Sequence, residues 1–319
     1  MKNKIALILP YFGTFPNYFN LWMHTAQKNQ EFDFLIFTDN EIQCVCTNIK
    51  VYNMDFDIFA GYFKSLFDFK NRLKNPYKLC DYKPTYGFAL KDYLEKYDYW
   101  GYCDPDIIFG KLSNFITDDI LSANKRIYTR GHMTIYRNTD DVNTLFYYKH
   151  NYDDCFSYRY VYSTDFVCAY DEWGTKYGYG LSEILKRENY DNYDSVDYAD
   201  VFPQYFDFVL DDSQRSKIDY FEYKDGCIWG WNNGEKREYA YVHLQKRNMV
   251  QDSGLNTEHF YIYPNAFCSE SKINPNYTVL RKEFKEKYIK AKTKTKIKKV
   301  LGGALMHLLN RKVKRINRR

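Results

Sequence analysis

Asp104 and Asp106 stand two residues apart in WGYCDPDIIFG, residues 100–110, between an aromatic run and an apolar one. Burying a carboxylate is costly unless it is paired, hydrogen-bonded or bound to a cation. Two at this spacing repel each other unless positive charge lies between them. A hard divalent cation takes oxygen ligands and bridges phosphate oxygens, so such a pair suits the presentation of a metal to a diphosphate. Pro105 fixes φ between the two and stiffens their separation. The plain alternative is a pair of turn-capping aspartates.

Four further stretches hold chemistry-bearing residues. YKLCDYKPTYG, residues 77–87, clusters Lys78, Asp81 and Lys83 about twenty residues before the aspartates. An Asp there suits hydrogen bonds from a ribose or base and a Lys suits phosphate; a capped helix start with solvated lysines is the alternative. YAYVHLQKR, residues 239–247, ends a strand pattern at His243 and follows it with Lys246 and Arg247. A neutral imidazole is a good Mn²⁺ ligand, and a nearby cation can neutralise a leaving diphosphate. AYDEWGTKYGYG, residues 169–180, pairs Asp171 and Glu172 before a glycine-rich turn. Either is a candidate acid or base, as is Asp165, and a surface acidic pair is the alternative. Gly131 and His132 in GHMTIYR are candidates for lining a pocket.

The elements that must position these residues alternate between strand and helix. KIALILPYFG reads as an opening strand and turn, and Asn17 as the cap of a helix over NYFNLWMHTAQKN with Phe19, Trp22, Met23 and Ala26 on one face. FDFLIFTDN and NIKVYNM read as strands, the first apolar enough to be covered on both faces. DIFAGYFKSLFDFKNRL and PTYGFALKDYLEKY read as helices, the second with a stripe of Tyr86, Ala89, Leu90, Tyr93 and Leu94. It feeds the strand DYWGYCDPD, whose carboxyl end carries the aspartates. Ligands of open α/β sheets bind at such ends. Beyond Lys125 the pattern is of mixed strands with helices over TDDVNTLFYYK and GLSEILKRE. The expectation is a mixed, mostly parallel α/β sheet flanked by helices, with one domain over 1–265, a helical extension over 266–292 and a tail over 293–319.

Composition narrows the partners. Hydrophobic residues make up 45% of the 319, ordinary for a globular chain, while 34 Tyr and 24 Phe raise the aromatic share to 20%. Tyrosine suits both a packed core and stacking against sugars and bases. The eight cysteines form no CxxC or zinc-type spacing, MKNK leads straight into an apolar run too short for a signal peptide, and no apolar run reaches spanning length. These features predict a cytoplasmic protein with reduced thiols. Of the net charge of +5, residues 290–319 hold twelve Lys/Arg and no Asp or Glu, which leaves −7 on the rest. A mildly acidic body argues against nucleic acid as a partner.

Four motifs in order, ILPYFG at 8–13, KLCDYKP at 78–84, WGYCDPD at 100–106 and HLQKR at 243–247, give the chain its resemblance to bacterial GT-A glycosyltransferases of the capsule and lipopolysaccharide type. It covers roughly residues 4–265. The resemblance implies a GT-A-like fold and transfer of a sugar from a nucleotide donor, UDP-linked by expectation, to a surface glycan or lipid-linked acceptor. It implies Mn²⁺ or Mg²⁺ held by Asp104, Asp106 and His243. Lys78 and Lys246 would face phosphate and Asp81 the nucleoside. An inverting member would use Asp171, Glu172 or Asp165 as base toward the acceptor hydroxyl, a retaining one would need none, and Gly131 and His132 would line the sugar pocket. Pro10, Tyr11 and Phe12, with Thr38 and Asp39, would frame the base. A nucleotidyltransferase of related fold would need a glycine-rich basic loop after the first strand, where PYFGTFPNYF has one glycine and no cation. A glycan-binding protein without activity would need no phosphate-bridging cation.

The tail makes a separate expectation. VLGGALMHLL, flanked by basic blocks over 290–299 and 311–319, is too short to span a bilayer but long enough to lie in its surface. Near-surface cations contribute about 1 kcal/mol each on an anionic leaflet, which predicts a basic amphipathic helix peripheral on the inner face of the cell membrane; a solvated tail and a helix docked on the domain or a partner subunit are the alternatives. Deleting residues 291–319 is expected to leave donor hydrolysis intact, abolish sedimentation with anionic liposomes at low salt and lower transfer to lipid-linked acceptors. Equal sedimentation of the full-length and shortened chains would contradict it.

Overall fold

The computed structural model describes residues 2–44, 46–271, 278–287 and 289. The expected amphipathic tail therefore lies outside the described residues. Its main element is a seven-stranded sheet. It is built from β1 (Ile5–Pro10), β2 (Phe32–Thr38), β3 (Ile49–Asn53), β4 (Tyr99–Cys103), β6 (Arg126–Arg130) and β7 (Met133–Arg137), with Asn192–Tyr193 at one edge; β5 (Ile107–Phe109) belongs elsewhere. The order is Asn192–Tyr193, β6, β7, β4, β1, β2, β3. Only β7 runs against its neighbours, so the sheet is mixed and mostly parallel.

Alternation along β1 divides the core. Ala6 and Ile8 point to one face, among Tyr82, Tyr86, Leu90 and Trp100. Ile5, Leu7 and Leu9 point to the other, among Trp22, Phe34 and Phe109. A strand buried on both faces carries an unbroken apolar run, as this one does. The second face is covered by α1 (Phe19–Gln27), whose Leu21, Trp22, Thr25 and Ala26 are buried. Asn17 does not cap it; Tyr18 occupies that position, and Asn17 donates instead to the Met249 carbonyl at 2.6 Å.

The first face is covered by residues 76–94, and here the expected helix is broken into short α and 3₁₀ turns. Pro84 has no N–H to give, and Leu90 leaves helical geometry at φ −109°, ψ 24°. The expected stripe still faces the core, with Tyr86, Leu90 and Leu94 buried. Close approach explains Gly87, since a Cβ there would lie 2.3 Å from the Trp100 ring. The helix expected over 57–73 stops at Gly61, and that over 139–149 is one turn of α-helix at Asp140–Asn143 with a 3₁₀ turn after it.

Of the four smaller sheets among the described residues, two bear on the site. Ala199–Asp200, Tyr241–His243 and β5 form one of three strands. A six-stranded sheet runs in the order Glu235–Tyr239, Cys227–Asn232, Tyr220–Lys224, His259–Tyr263, Ala266–Cys268, Val250–Gln251. It packs Phe221, Phe260 and Phe267 against Tyr18 and Leu21 near α1 and against Ile108 of β5. The boundary expected at residue 265 falls inside its last hairpin, because Ala266–Cys268 pairs with His259–Tyr263. Residues 278–287 are helical and return to the body through Arg281, 2.7 Å from Asp207. Among the described residues no helix is long and apolar enough to cross a membrane.

Candidate metal centre and nucleotide cleft

Strand register brings the site together. β5 pairs antiparallel with Tyr241–His243 so that His243 lies opposite Ile107, one residue after Asp106. The other edge of Tyr241–His243 pairs in parallel with Ala199–Asp200, which sets Asp200 opposite His243. Asp106, His243 and Asp200 thus form a row across three short strands. The loop carrying Asp104 is fixed separately: Trp22 Nε1 donates to the Asp104 carbonyl at 3.1 Å, and the Asp104 N–H donates to the His132 carbonyl at 2.9 Å. Trp22 is itself the end of a stacked series running from Tyr11 through Phe15 and Phe19.

The row is buried and charged. Asp106 is 1% exposed, and its Oδ2 accepts the Lys246 backbone N–H at 2.6 Å. Its Oδ1 lies 3.4 Å from His243 Nε2 and has no hydrogen-bond partner among the described residues. Burial pushes the Asp106 carboxyl up, but His243 and the Lys246 N–H outweigh it and bring it down to about 2. His243 Nδ1 lies 2.8 Å from Asp200 Oδ1. Burial drives Asp200 toward its neutral form, but His132 and His243 prevail and hold its carboxyl far below the usual range. An ionised carboxylate only accepts, so Nδ1 is the donor and Nε2 is the nitrogen turned toward Asp106. Burial opposes charge on His243 as well, yet Asp106 and Asp200 raise its pKa to about 10. A carboxylate behind the imidazole is the usual way a metal-binding histidine is oriented.

Asp104, Asp106 and His243 each place one ligand atom within 4.8 Å of the others. Two carboxylates and one imidazole are a donor set for Mn²⁺ or Mg²⁺. The unpartnered Oδ1 of Asp106 facing a histidine nitrogen is what such an ion would satisfy, so the residues present fit the expected metal.

These groups line one cleft of about 870 Å³, with Pro10, Tyr11 and Phe12 along one wall and Asp171, Glu172 and Lys246 among its other residues. A cleft of about 960 Å³ elsewhere, beside Phe206 and Phe284, holds none of this chemistry. Lys83 lies beneath the metal position, donating 2.7 Å to Asp104 Oδ1 and 2.6 Å to the Gly131 carbonyl, with Asp171 Oδ2 at 3.5 Å. Burial disfavours its charge, but Asp104 and Asp171 hold its pKa well above the ordinary value. Burial raises the Asp171 carboxyl well above its usual range, with Lys83 opposing and Glu172 adding to the rise. Glu172, half-buried, has Oε2 3.4 Å from the Gly131 N–H. A Cβ on Gly131 would meet Asp171 Oδ2 at 2.6 Å, which is why this turn has none.

The loop after His243 is strained to serve Asp106. Gln245 and Lys246 both have left-handed backbones, at φ 54° and 58°. Non-glycine residues adopt this conformation at a cost and persist in it where the surroundings fix them. Here the Leu244 N–H meets the Asp106 carbonyl at 2.9 Å, and Gln245 Nε2 meets Asp200 at 2.8 Å. The Lys246 ammonium rests over the Tyr77 ring, 4.9 Å from its centroid, at the cleft.

Other expected site residues lie apart. Lys78 and Asp81 are enclosed and bind each other at 2.6 Å. Lys78 also donates to the Val161 and Phe166 carbonyls, and Asp81 accepts from the Cys168 and Tyr170 N–H groups. Neither lines the cleft; together they anchor the 161–170 segment, so a nucleoside contact at Asp81 finds no support. Asp39 braces the opening turn through the Gly13 N–H at 3.0 Å, Thr38 accepts from the Asn40 N–H, and neither reaches the cleft wall. Asp165 is at the surface against Arg72 and Lys74. Arg247 donates to the Phe206, Phe202 and Tyr205 carbonyls. Asp200 was not legible as a site residue: YADVF has no spacing that marks it. Lys83 stood in a noted cluster, but only packing shows it as the lysine that reaches the aspartates.

A family model, the family of unknown function DUF6625, matches residues 7–271. The chain belongs to this family. No curated protein matches it. Among solved structures, a galactosyltransferase LgtC, in complex with donor and acceptor sugar analogues, is similar at 14% identity and a TM-score of 0.24. The match covers 42% of this chain and 58% of that one, so the chain spans less than two thirds of that enzyme.

Breaking a buried ion pair by removing one partner costs about 3–5 kcal/mol, because the other charge is left uncompensated. Lys78→Met is therefore expected to lower stability by about that amount in urea denaturation, with nucleotide affinity unchanged at temperatures where it remains folded. A variant of native stability, or one folded but weak in nucleotide binding, would contradict the structural role.

Proposed function

We propose that this member of the DUF6625 family is a metal-dependent glycosyltransferase that moves a sugar from a nucleotide donor, UDP-linked in the simplest case, to a cell-surface glycan or lipid-linked acceptor. The observation that carries the reading is the gap between Asp106 Oδ1 and His243 Nε2, 3.4 Å across, buried and backed by Asp200. Together with Asp104 it opens into a cleft large enough for a nucleotide sugar.

Asp104, Asp106 and His243 would hold the cation, which offsets charge building on the departing diphosphate. The chain's own groups do the rest. Lys83 keeps Asp104 oriented and balances the acidic floor when it lies bare. Lys246 presents a second cation at the rim, beside Tyr77, where a diphosphate oxygen can reach it. Tyr11 and Phe12 form the apolar wall expected for the base and ribose. Asp171 is committed to Lys83 and buried, whereas Glu172 is the more accessible of the acidic pair. We therefore assign the acceptor hydroxyl to Glu172.

Calorimetry with UDP in Mn²⁺ and in chelator tests the reading. Wild type is expected to bind only with metal, Asp106→Asn to lose at least tenfold in affinity, and His243→Ala to need more Mn²⁺. Glu172→Gln is expected to bind normally and transfer poorly. UDP affinity indifferent to Mn²⁺, or unchanged in Asp106→Asn, would overturn the metal-bridged donor site.

A further inference from the structure

Behind the proposed donor cation lies a second group of potential ligands, His132, Asp200 and His243, all buried, with one ligand atom from each within 4.8 Å of the others. His132 comes from the turn between β6 and β7, and the other two from the three-stranded sheet. His132 Nδ1 lies 3.2 Å from the Tyr241 hydroxyl, while Nε2 is buried with no hydrogen-bond partner among the described residues. That nitrogen faces Asp200 Oδ2 at 3.6 Å, beyond hydrogen-bond length. The two imidazole rings stand 4.5 Å apart. A buried ring nitrogen without a partner calls for an explanation.

We propose that His132, Asp200 and His243 form a second, nitrogen-rich metal site that takes Zn²⁺ and competes with the donor cation for His243. Two imidazoles and one carboxylate suit zinc, whereas two carboxylates and one imidazole suit Mn²⁺ or Mg²⁺. The Asp200 carboxylate spans the two rings, with Oδ1 2.8 Å from His243 Nδ1 and Oδ2 3.6 Å from His132 Nε2, separations that bracket what neighbouring ligands need around a tetrahedral ion with bonds of about 2.0–2.2 Å. The cleft, which His132, Asp200 and His243 all line, supplies water for the fourth position. Zinc would take the Nδ1 lone pair, and the proton between Nδ1 and Asp200 would leave to solvent. The imidazole would then keep its proton on Nε2, where it has no lone pair to give a cation at Asp104 and Asp106. The two sites are therefore mutually exclusive at His243, and zinc would act as an inhibitor.

The site stands on its own residues; only the competition with nucleotide rests on the proposed function. The test titrates the full-length, metal-stripped chain with Co²⁺ and Zn²⁺ alone. Wild type is expected to give the intense visible absorption of tetrahedral cobalt, bleached by zinc. His132→Ala should lose at least tenfold in Zn²⁺ affinity and lose far less in Mn²⁺-dependent UDP affinity. Asp104→Asn should do the reverse. His132→Cys, which supplies another zinc ligand, should recover binding that a folding defect would not. In wild type, Zn²⁺ should weaken UDP binding in Mn²⁺. Absence of the cobalt band, wild-type zinc affinity in His132→Ala, no recovery in His132→Cys, or equal loss in Asp104→Asn would overturn the site. If wild type shows no Mn²⁺-dependent UDP binding, the proposed function fails while the zinc titration still decides this inference.

Discussion

The register of three short strands is the constraint on which the site depends. Ile107 opposite His243, and His243 opposite Asp200, place two carboxylates on either side of one imidazole, nearly buried at the floor of the cleft. Each group would be costly to bury alone. In a row they compensate one another, and the row has a direction: Asp200 holds one ring nitrogen and leaves the other facing Asp106. A slip of one residue in either pairing would turn His243 to the opposite face.

The rest of the molecule supports that row. The larger sheet delivers Asp104 at the end of β4, and α1 pins its carbonyl through Trp22. The helical segment before β4 contributes Lys83, a cation that joins Asp104, Gly131 and Asp171 into one network under the cleft. The six-stranded sheet backs β5 and α1 through a common apolar core. Gln245 and Lys246 are held in strained left-handed backbones where the turn after His243 returns to bond Asp106. Rigid strands and a strained turn together keep an acidic site preformed, which lowers the ordering cost of binding a charged ligand.

Much of this was legible in the sequence because it depends on short-range pattern. The aspartates after an apolar strand, the histidine at the end of another and the unbroken run of β1 are local signals, and the structure shows each as read. The failures share a cause in tertiary context. Lys78 and Asp81 look like ligand-facing polar residues in sequence, yet the chain folds the 161–170 segment over them and makes them an internal clamp. Asp200 carries no pattern at all, since its role exists only through pairing with a strand more than forty residues later. The broken helix at 76–94 kept its buried stripe but not its regularity, because Pro84 and the close approach of Gly87 to Trp100 bend the segment onto the sheet. The strand Ala266–Cys268 was not legible at all, since three residues between turns give too short a period.

The central claim is that Asp104, Asp106 and His243 hold one divalent cation and through it a nucleotide diphosphate. Anomalous scattering at the manganese edge, from crystals of the full-length chain grown with UDP and Mn²⁺, addresses it directly. The account predicts a single strong peak bounded by the three side chains, with diphosphate density on its open side and Lys246 at the rim. Diphosphate density in the cleft with no manganese peak among those residues, or a nucleotide bound elsewhere, would contradict it.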